Sequence, residues 1–150
     1  MTIAAILKGK GGEVVSLPRE ATVRQAVALL ADKRIGAVPV VDSGAGGERE
    51  AGDVVGIFSE RDVVHCLAAH GPDALDRPLA EVMTRPVQSV GTAESAIGAL
   101  SLMTRRRIRH LPVVEDGRMV GFVSIGDLVK YRIDRIEADA AAMRDYIQTA

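Results

Sequence analysis

The sequence predicts a mixed α/β fold in which one β-α-β-β-α unit is written twice and followed by an extended helix. The first observation is an internal repeat. Residues 14–41 overlay residues 87–114 at a constant offset of 73: Val14, Ser16, Ala26, Leu29, Ile35, Pro39, Val40 and Val41 recur as Val87, Ser89, Ala99, Leu102, Ile108, Pro112, Val113 and Val114. The offset then becomes 65, and Val55, Gly56, Ser59, Asp62 and Val64 recur as Val120, Gly121, Ser124, Asp127 and Val129. A longer polar loop in the first copy, residues 43–52, absorbs the difference. The second observation is that β-branched runs alternate with segments of helical period in each copy. The third is that no Gly or Pro follows Asp127.

Each copy opens on a short strand pattern, residues 14–17 and 87–90, closed by Pro18 or Gly91. A helix follows. Thr22 is its expected N-cap, and Val23, Ala26, Val27 and Leu30 share one face; Ser95, Ala96, Ala99, Leu100 and Met103 repeat the arrangement. Residues 38–41 with 54–58, and 111–114 with 119–123, read as paired strands, the second pair joined through Asp116-Gly117. Ser59-Glu60-Arg61-Asp62 and Ser124-Ile125-Gly126-Asp127 then open another helix by a capping pattern. Gly71-Pro72 ends the helix carrying Cys66, and Asp76-Arg77-Pro78 starts a short turn leading to Val82-Met83-Thr84. The expected division is a first repeat at 1–70, a linker at 71–82, a second repeat at 83–130 and a terminal helix at 131–150. Along that helix Val129, Ile133, Ile136, Ala140, Met143 and Ile147 step by 4 and 3, a seam that calls for a partner and predicts a homodimer. Covering each large side chain is worth about 1.5–3 kcal/mol.

Composition narrows the function. With 150 residues, 47% apolar and 26% charged, the chain suits one domain or two intimate halves and excludes disordered or collagen-like classes. Nineteen basic against twenty acidic side chains give a formal charge of -1, so no global field favours a polyanion. No Trp, two Tyr and two Phe are too few rings for a base-stacking platform, which argues against nucleic acid. A single cysteine, Cys66, precludes an intramolecular disulfide and a Cys-only metal cage. No apolar stretch approaches the ~20 residues of a membrane span, and the first residues lack a signal peptide's basic region, so a cytoplasmic protein without a membrane partner is expected. No sequence context singles out a nucleophile or a proton-transfer pair, and no enzyme is expected.

Two copies of a hydrophobic-Pro-Val-Val strand followed by Gly-h-h-Ser-x-x-Asp, bracketing a linker that ends Val82-Met83-Thr84, resemble a tandem pair of cystathionine-β-synthase (CBS) domains, the Bateman module. Arg107-Ile108-Arg109-His110-Leu111-Pro112-Val113-Val114 with residues 121–127 looks especially like the small free-standing bacterial members. The resemblance covers about residues 3–130 and implies two pseudo-symmetric repeats packed sheet to sheet. It also implies a regulatory protein with no catalytic cofactor. Such a protein binds an adenosine compound such as AMP, ADP, ATP, NAD(H) or S-adenosylmethionine between the repeats and modulates an unknown partner protein.

By that resemblance Asp127 and Asp62 hold ribose hydroxyls, Ser124 and Ser59 contact phosphate, and the backbone at Leu111 and Val38, beside Pro112 and Ala37, faces adenine. The chemistry suits these roles: a carboxylate accepts two hydrogen bonds from a cis-diol, and a helix start attracts phosphate. The second repeat has Arg109 and His110 where the first has Gly36 and Ala37, so unequal sites are expected, with Asp127 at the stronger. Arg61 is placed to reach phosphate from the other repeat; Lys8, Lys10 and Thr84 are further candidates.

Plainer readings stand beside these. Ser59 with Asp62, and Ser124 with Asp127, also read as capping boxes alone, worth about 1 kcal/mol each. Arg105, Arg106, Arg107, Arg109 and His110 also read as a solvated helix end that favours the C-terminal dipole. Cys66 and His70, with His65 adjacent, have a metal-compatible spacing but no further ligand, and the thiol reads better as core. The Gly-rich runs 9–12 and 44–47 lack phosphate-loop spacing and read as loops.

Overall fold

Repetition of sequence becomes repetition of hydrogen bonding. A computed structural model describes residues 1–11, 14–42 and 53–149, so the expected excursion at 43–52, with the Gly-rich run inside it and Gly12, lies outside the described residues. The chain runs α1 (Ile3–Lys10), β1 (Leu17–Pro18), α2 (Val23–Lys33), β2 (Ala37–Val41), β3 (Val54–Ser59), α3 (Glu60–His70), a 3-10 helix (Gly71–Asp76), α4 (Leu79–Val82), α5 (Ala96–Arg106), β4 (His110–Glu115), β5 (Arg118–Ser124) and α6 (Ile125–Thr149). β2 and β3 pair antiparallel from Ala37 opposite Ser59, and β4 and β5 from His110 opposite Ser124, the same register. Both ladders shift between their last two valines, Val40 and Val41 in one and Val113 and Val114 in the other. β1 lies parallel to β2 with Leu17 opposite Val40.

The matching strand of the second copy is shorter than expected: only Val90 bridges Val113. There the chain leaves the ladder at Gly91, and the Thr92 backbone N–H and hydroxyl both donate to the Glu115 carboxylate, at 3.2 and 2.6 Å. Helix starts follow the sequence. Thr22 and Gln25 form a capping box on α2, and Ser95 accepts from Gly98 N on α5. Both helices end in a left-handed arginine, Arg34 at φ 53° and Arg107 at φ 54°.

Two cores result. Val23, Ala26, Leu30, Val38, Val40 and Phe58 build the first together with Leu79 and Met83; Ala99, Met103, Leu111, Val113, Val123 and Leu128 build the second together with Ile3 and Ile6. The segment preceding each copy therefore packs against the other copy. α1 was not expected, because eight residues containing Gly9, with no side-chain cap at Thr2, carry little local signal. It forms because Ile3 and Ile6 are buried against the second repeat.

The repeated glycine of each third strand admits this crossing. A Cβ on Gly121 would lie 2.5 Å from Leu7 Cδ2, and one on Gly56 would overlap the Met83 side chain. Gly56→Val is expected to lower unfolding free energy by about 1–3 kcal/mol in urea titrations, because the added side chain overfills a buried contact. Unchanged stability would mean that Met83 swings clear.

α6 leaves the body after Leu128 and Tyr131, and every residue of 132–149 is exposed. Among the described residues no helix is long and apolar enough to cross a membrane.

Candidate functional site

The crossing produces two related clefts, each made from both repeats. One, of about 360 Å³, takes Ser59, Arg61 and Asp62 from the first repeat and Val87, Arg107, Arg109 and His110 from the second, with Thr84 between. The other, of about 370 Å³, takes Ser124 and Asp127 from the second repeat and Val14, Arg34, Ile35 and Ala37 from the first, with Lys10 in the place of Thr84. Both volumes lie within the range of small-molecule sites.

Local chemistry positions each aspartate. Ser59 N and Ser59 Oγ donate to Asp62 Oδ2 at 2.9 and 3.1 Å, and Asp62 N donates to Ser59 Oγ at 3.4 Å. Thr84 Oγ1 donates to Asp62 Oδ1 at 2.8 Å. At the other site Ser124 N donates to Asp127 Oδ2 at 2.8 Å, and Asp127 N to Ser124 Oγ at 3.1 Å. The capping boxes are therefore real, and they aim the carboxylates. Lys10 Nζ binds Asp127 Oδ2 and the Phe122 carbonyl, both at 2.7 Å. Burial pushes the Asp127 carboxyl up, but the bonds from Lys10 and from the Ser124 N–H outweigh it and hold the group below its ordinary range.

The two clefts differ in how many cations they offer without an ion-pair partner among the described residues. Arg61, Arg107 and Arg109 line the Asp62 cleft, and none has an ion-pair partner among the described residues. The Asp127 cleft has Arg34 and a lysine already committed to the carboxylate. Sequence reasoning joined Arg109 to Asp127 because both belong to the second repeat. The structure joins Arg109 to Asp62, because the loop after α5 faces the opposite repeat's helix start. Glu60 also lines the Asp62 cleft, so three guanidiniums there face two carboxylates, whereas Arg34 and Lys10 face one at Asp127. The expected asymmetry therefore lies in which repeat supplies the arginines rather than in the formal charge of the clefts.

His110 lines both clefts, as does Gly36. Its ring stacks on Phe122 at 5.8 Å and 8°, and its edge lies 3.4 Å from where a Gly36 Cβ would sit. Burial, then the Lys10 charge, lower its pKa below the ordinary 6.5, with a smaller effect from Arg109; Asp127 and Glu60 oppose them. The unfolded chain therefore takes up the proton first as pH falls through 6.5, and the fold loses stability there. A lower melting temperature at pH 5.5 than at pH 7.5, flattened in His110→Gln, is expected by calorimetry.

Other expected positions sort by geometry. Ala37 lines the Asp127 cleft, whereas Val38, Leu111 and Pro112 line neither. Val38 and Leu111 are fully buried, each opposite a residue of the neighbouring strand, so the cleft edge falls one residue earlier, at Ala37 and His110. Lys8 lies on α1 outside both clefts. Arg105 and Arg106 end α5 and do not line the cleft, while Arg107 and Arg109 do. Cys66 is buried in the first core, His65 and His70 are exposed, and no metal-holding cluster occurs among the described residues. Arg34 and Arg107 are the site residues that sequence reasoning missed as a pair, although they coincide at the offset of 73.

Comparison with known proteins agrees with this arrangement. The profile of the CBS domain matches twice, over residues 12–69 and 79–134. The chain belongs to the CBS-domain family. Its CBS pair is 31% identical over 153 residues to the CBS domain-containing protein CBSX3, mitochondrial, of Arabidopsis thaliana, covering 98% of this chain and 72% of that one. It is similar to the crystal structure of the CBS-domain containing protein ATU1752 from Agrobacterium tumefaciens, at 35% identity and a TM-score of 0.80 over 87% of this chain and 92% of that one. It also shares its fold with the CBS domain pair of protein MJ0100, at 24% identity and a TM-score of 0.73 over 87% and 98% of the chains. That structure is a complex with 5'-methylthioadenosine and S-adenosyl-L-methionine.

Proposed function

We propose that this CBS pair is a regulatory module that binds a phosphorylated adenosine compound in the Asp62 cleft and passes its occupancy to a partner protein. The observation that carries the reading is the joint placement, in one cleft, of a helix-capping carboxylate and three guanidiniums drawn from both repeats. A carboxylate accepts from a ribose diol, and guanidiniums take phosphate oxygens in forked pairs. Adenosine compounds bound to the CBS pair of MJ0100 support the nucleoside half of the reading. The arginines favour AMP, ADP, ATP or NAD(H) over S-adenosylmethionine, whose sulfonium is cationic. AMP or ATP would make the module an energy sensor and NAD(H) a redox sensor. Occupancy biases only states that bind the ligand unequally, and a cleft shared by two repeats gives it a hold on their relative placement.

A second reading is an interaction module with vestigial clefts. Its support is that Lys10 and Thr84 already satisfy the two carboxylates from within the chain. Titration calorimetry against AMP, ATP, NADH and S-adenosylmethionine separates the two. Heat with the phosphorylated compounds, strongest for those with more phosphates, is expected. Silence with all four at millimolar concentration selects the interaction module.

A further inference from the structure

Among the described residues Gly36 and His110 are the two that line both clefts, and of these only His110 can carry a charge. One face of its ring is held by Phe122, stacked 5.8 Å away. The ring edge that carries Cε1 and Nε2 lies 3.4 Å from the point where a Cβ on Gly36 would stand, so the glycine leaves that edge uncovered. A nitrogen able to take a proton therefore sits on the wall between the two clefts.

The charged groups around the ring are divided. Lys10 on α1 and Arg109 beside it in the chain oppose a proton there, whereas Asp127 on α6 and Glu60 on α3 favour one. Further along the walls stand Arg61, Asp62 and Arg107 on one side and Arg34 on the other. Burial adds to the effect of the cations, and the protein alone keeps the imidazole neutral near pH 7.

We propose that nucleotide phosphate bound among Arg61, Arg107 and Arg109 draws a proton from solvent onto His110, so that the module reads acidity together with nucleotide. This rests on the nucleotide reading of the Asp62 cleft. A polyphosphate neutralises the guanidiniums that repel an imidazolium, and the imidazolium in turn offers phosphate a charged donor. Proton and nucleotide then favour each other by the same factor. Because the ring also lines the Asp127 cleft, the charge gained at one site stands on the wall of the other. A histidine that merely filled the space between the clefts would titrate alike with and without nucleotide.

The test follows the three histidine rings of the full chain by NMR from pH 5 to pH 8, with and without saturating ATP. His110 is assigned by the resonance that His110→Gln loses. With ATP its midpoint should rise by about one pH unit, equivalent to a roughly tenfold tighter hold on nucleotide by the protonated protein. His65 and His70, exposed on α3 and outside both clefts, should not move. A His110 midpoint unchanged or lowered by ATP that does bind would overturn the proposal and leave the nucleotide site standing; no binding at all would remove both. Calorimetry supplies a second arm. The ratio of ATP affinities, wild type over His110→Gln, should grow several-fold as pH falls from 8 to 5.5, and taking the ratio cancels the protonation of ATP itself. A ratio that stays constant with pH would also overturn the proposal.

Discussion

Asp62→Ala should weaken binding of ATP about a hundredfold, while Asp127→Ala changes it by no more than a few-fold. Asp62 carries two acceptor oxygens at the mouth of the cleft that Arg61, Arg107 and Arg109 line. Its present partners, Ser59 and Thr84, are neutral, so they can share or yield it at small cost. Two diol bonds to a carboxylate are worth about 1.5–3 kcal/mol each, and losing them gives a hundredfold change or more. Asp127 is bound through Oδ2 by the Lys10 ammonium at 2.7 Å, which offsets its charge and makes it a weaker acceptor for a diol. Alanine at 62 also removes the capping box, worth about 1 kcal/mol of stability, so melting must show that the variant is folded at the titration temperature. Equal losses in the two variants, measured by calorimetry, would contradict the assignment of the ligand to one cleft.

Replacing both Arg107 and Arg109 by glutamine should cost ATP roughly a hundredfold in affinity and adenosine only a few-fold. Each charge-assisted bond from a guanidinium to phosphate contributes about 1.5–3 kcal/mol, and adenosine has no phosphate to lose. Glutamine is preferred to glycine at position 107 because the wild-type residue holds a left-handed conformation, at φ 54°, and glycine would also loosen the unfolded chain. The split between the two ligands separates phosphate recognition from a general loosening of the fold. Equal losses for ATP and adenosine would mean that these arginines shape the cleft without touching phosphate.

What could be read from the sequence was what local pattern controls. The Ser-x-x-Asp caps at Ser59 and Ser124 and the paired strands follow from residue pattern within single elements, and the repeat from self-similarity at offsets of 73 and 65. The capping residues were visible because the same oxygen that aims the site also satisfies the helix start. What stayed hidden depends on contacts across the chain. α1 has little helical signal of its own and is held by Ile3 and Ile6 in the second core. The Lys10–Asp127 bond joins residues 117 positions apart, and nothing in either neighbourhood announces it. Likewise Arg109 belongs to one repeat and serves the cleft of the other, because each copy closes on the segment that precedes its twin. Arg34 and Arg107 were legible as a coincidence of the repeat; that both are left-handed caps beside a cleft is a fact of three dimensions.

The most direct measurement is a crystal structure of the protein grown with ATP. It should show the ribose hydroxyls within hydrogen-bond distance of Asp62 and the phosphates among Arg61, Arg107 and Arg109, with Lys10 still on Asp127. Nucleotide absent at saturating concentration, with Thr84 and Ser59 still closed over Asp62, would show that the carboxylates only begin helices and would end the account.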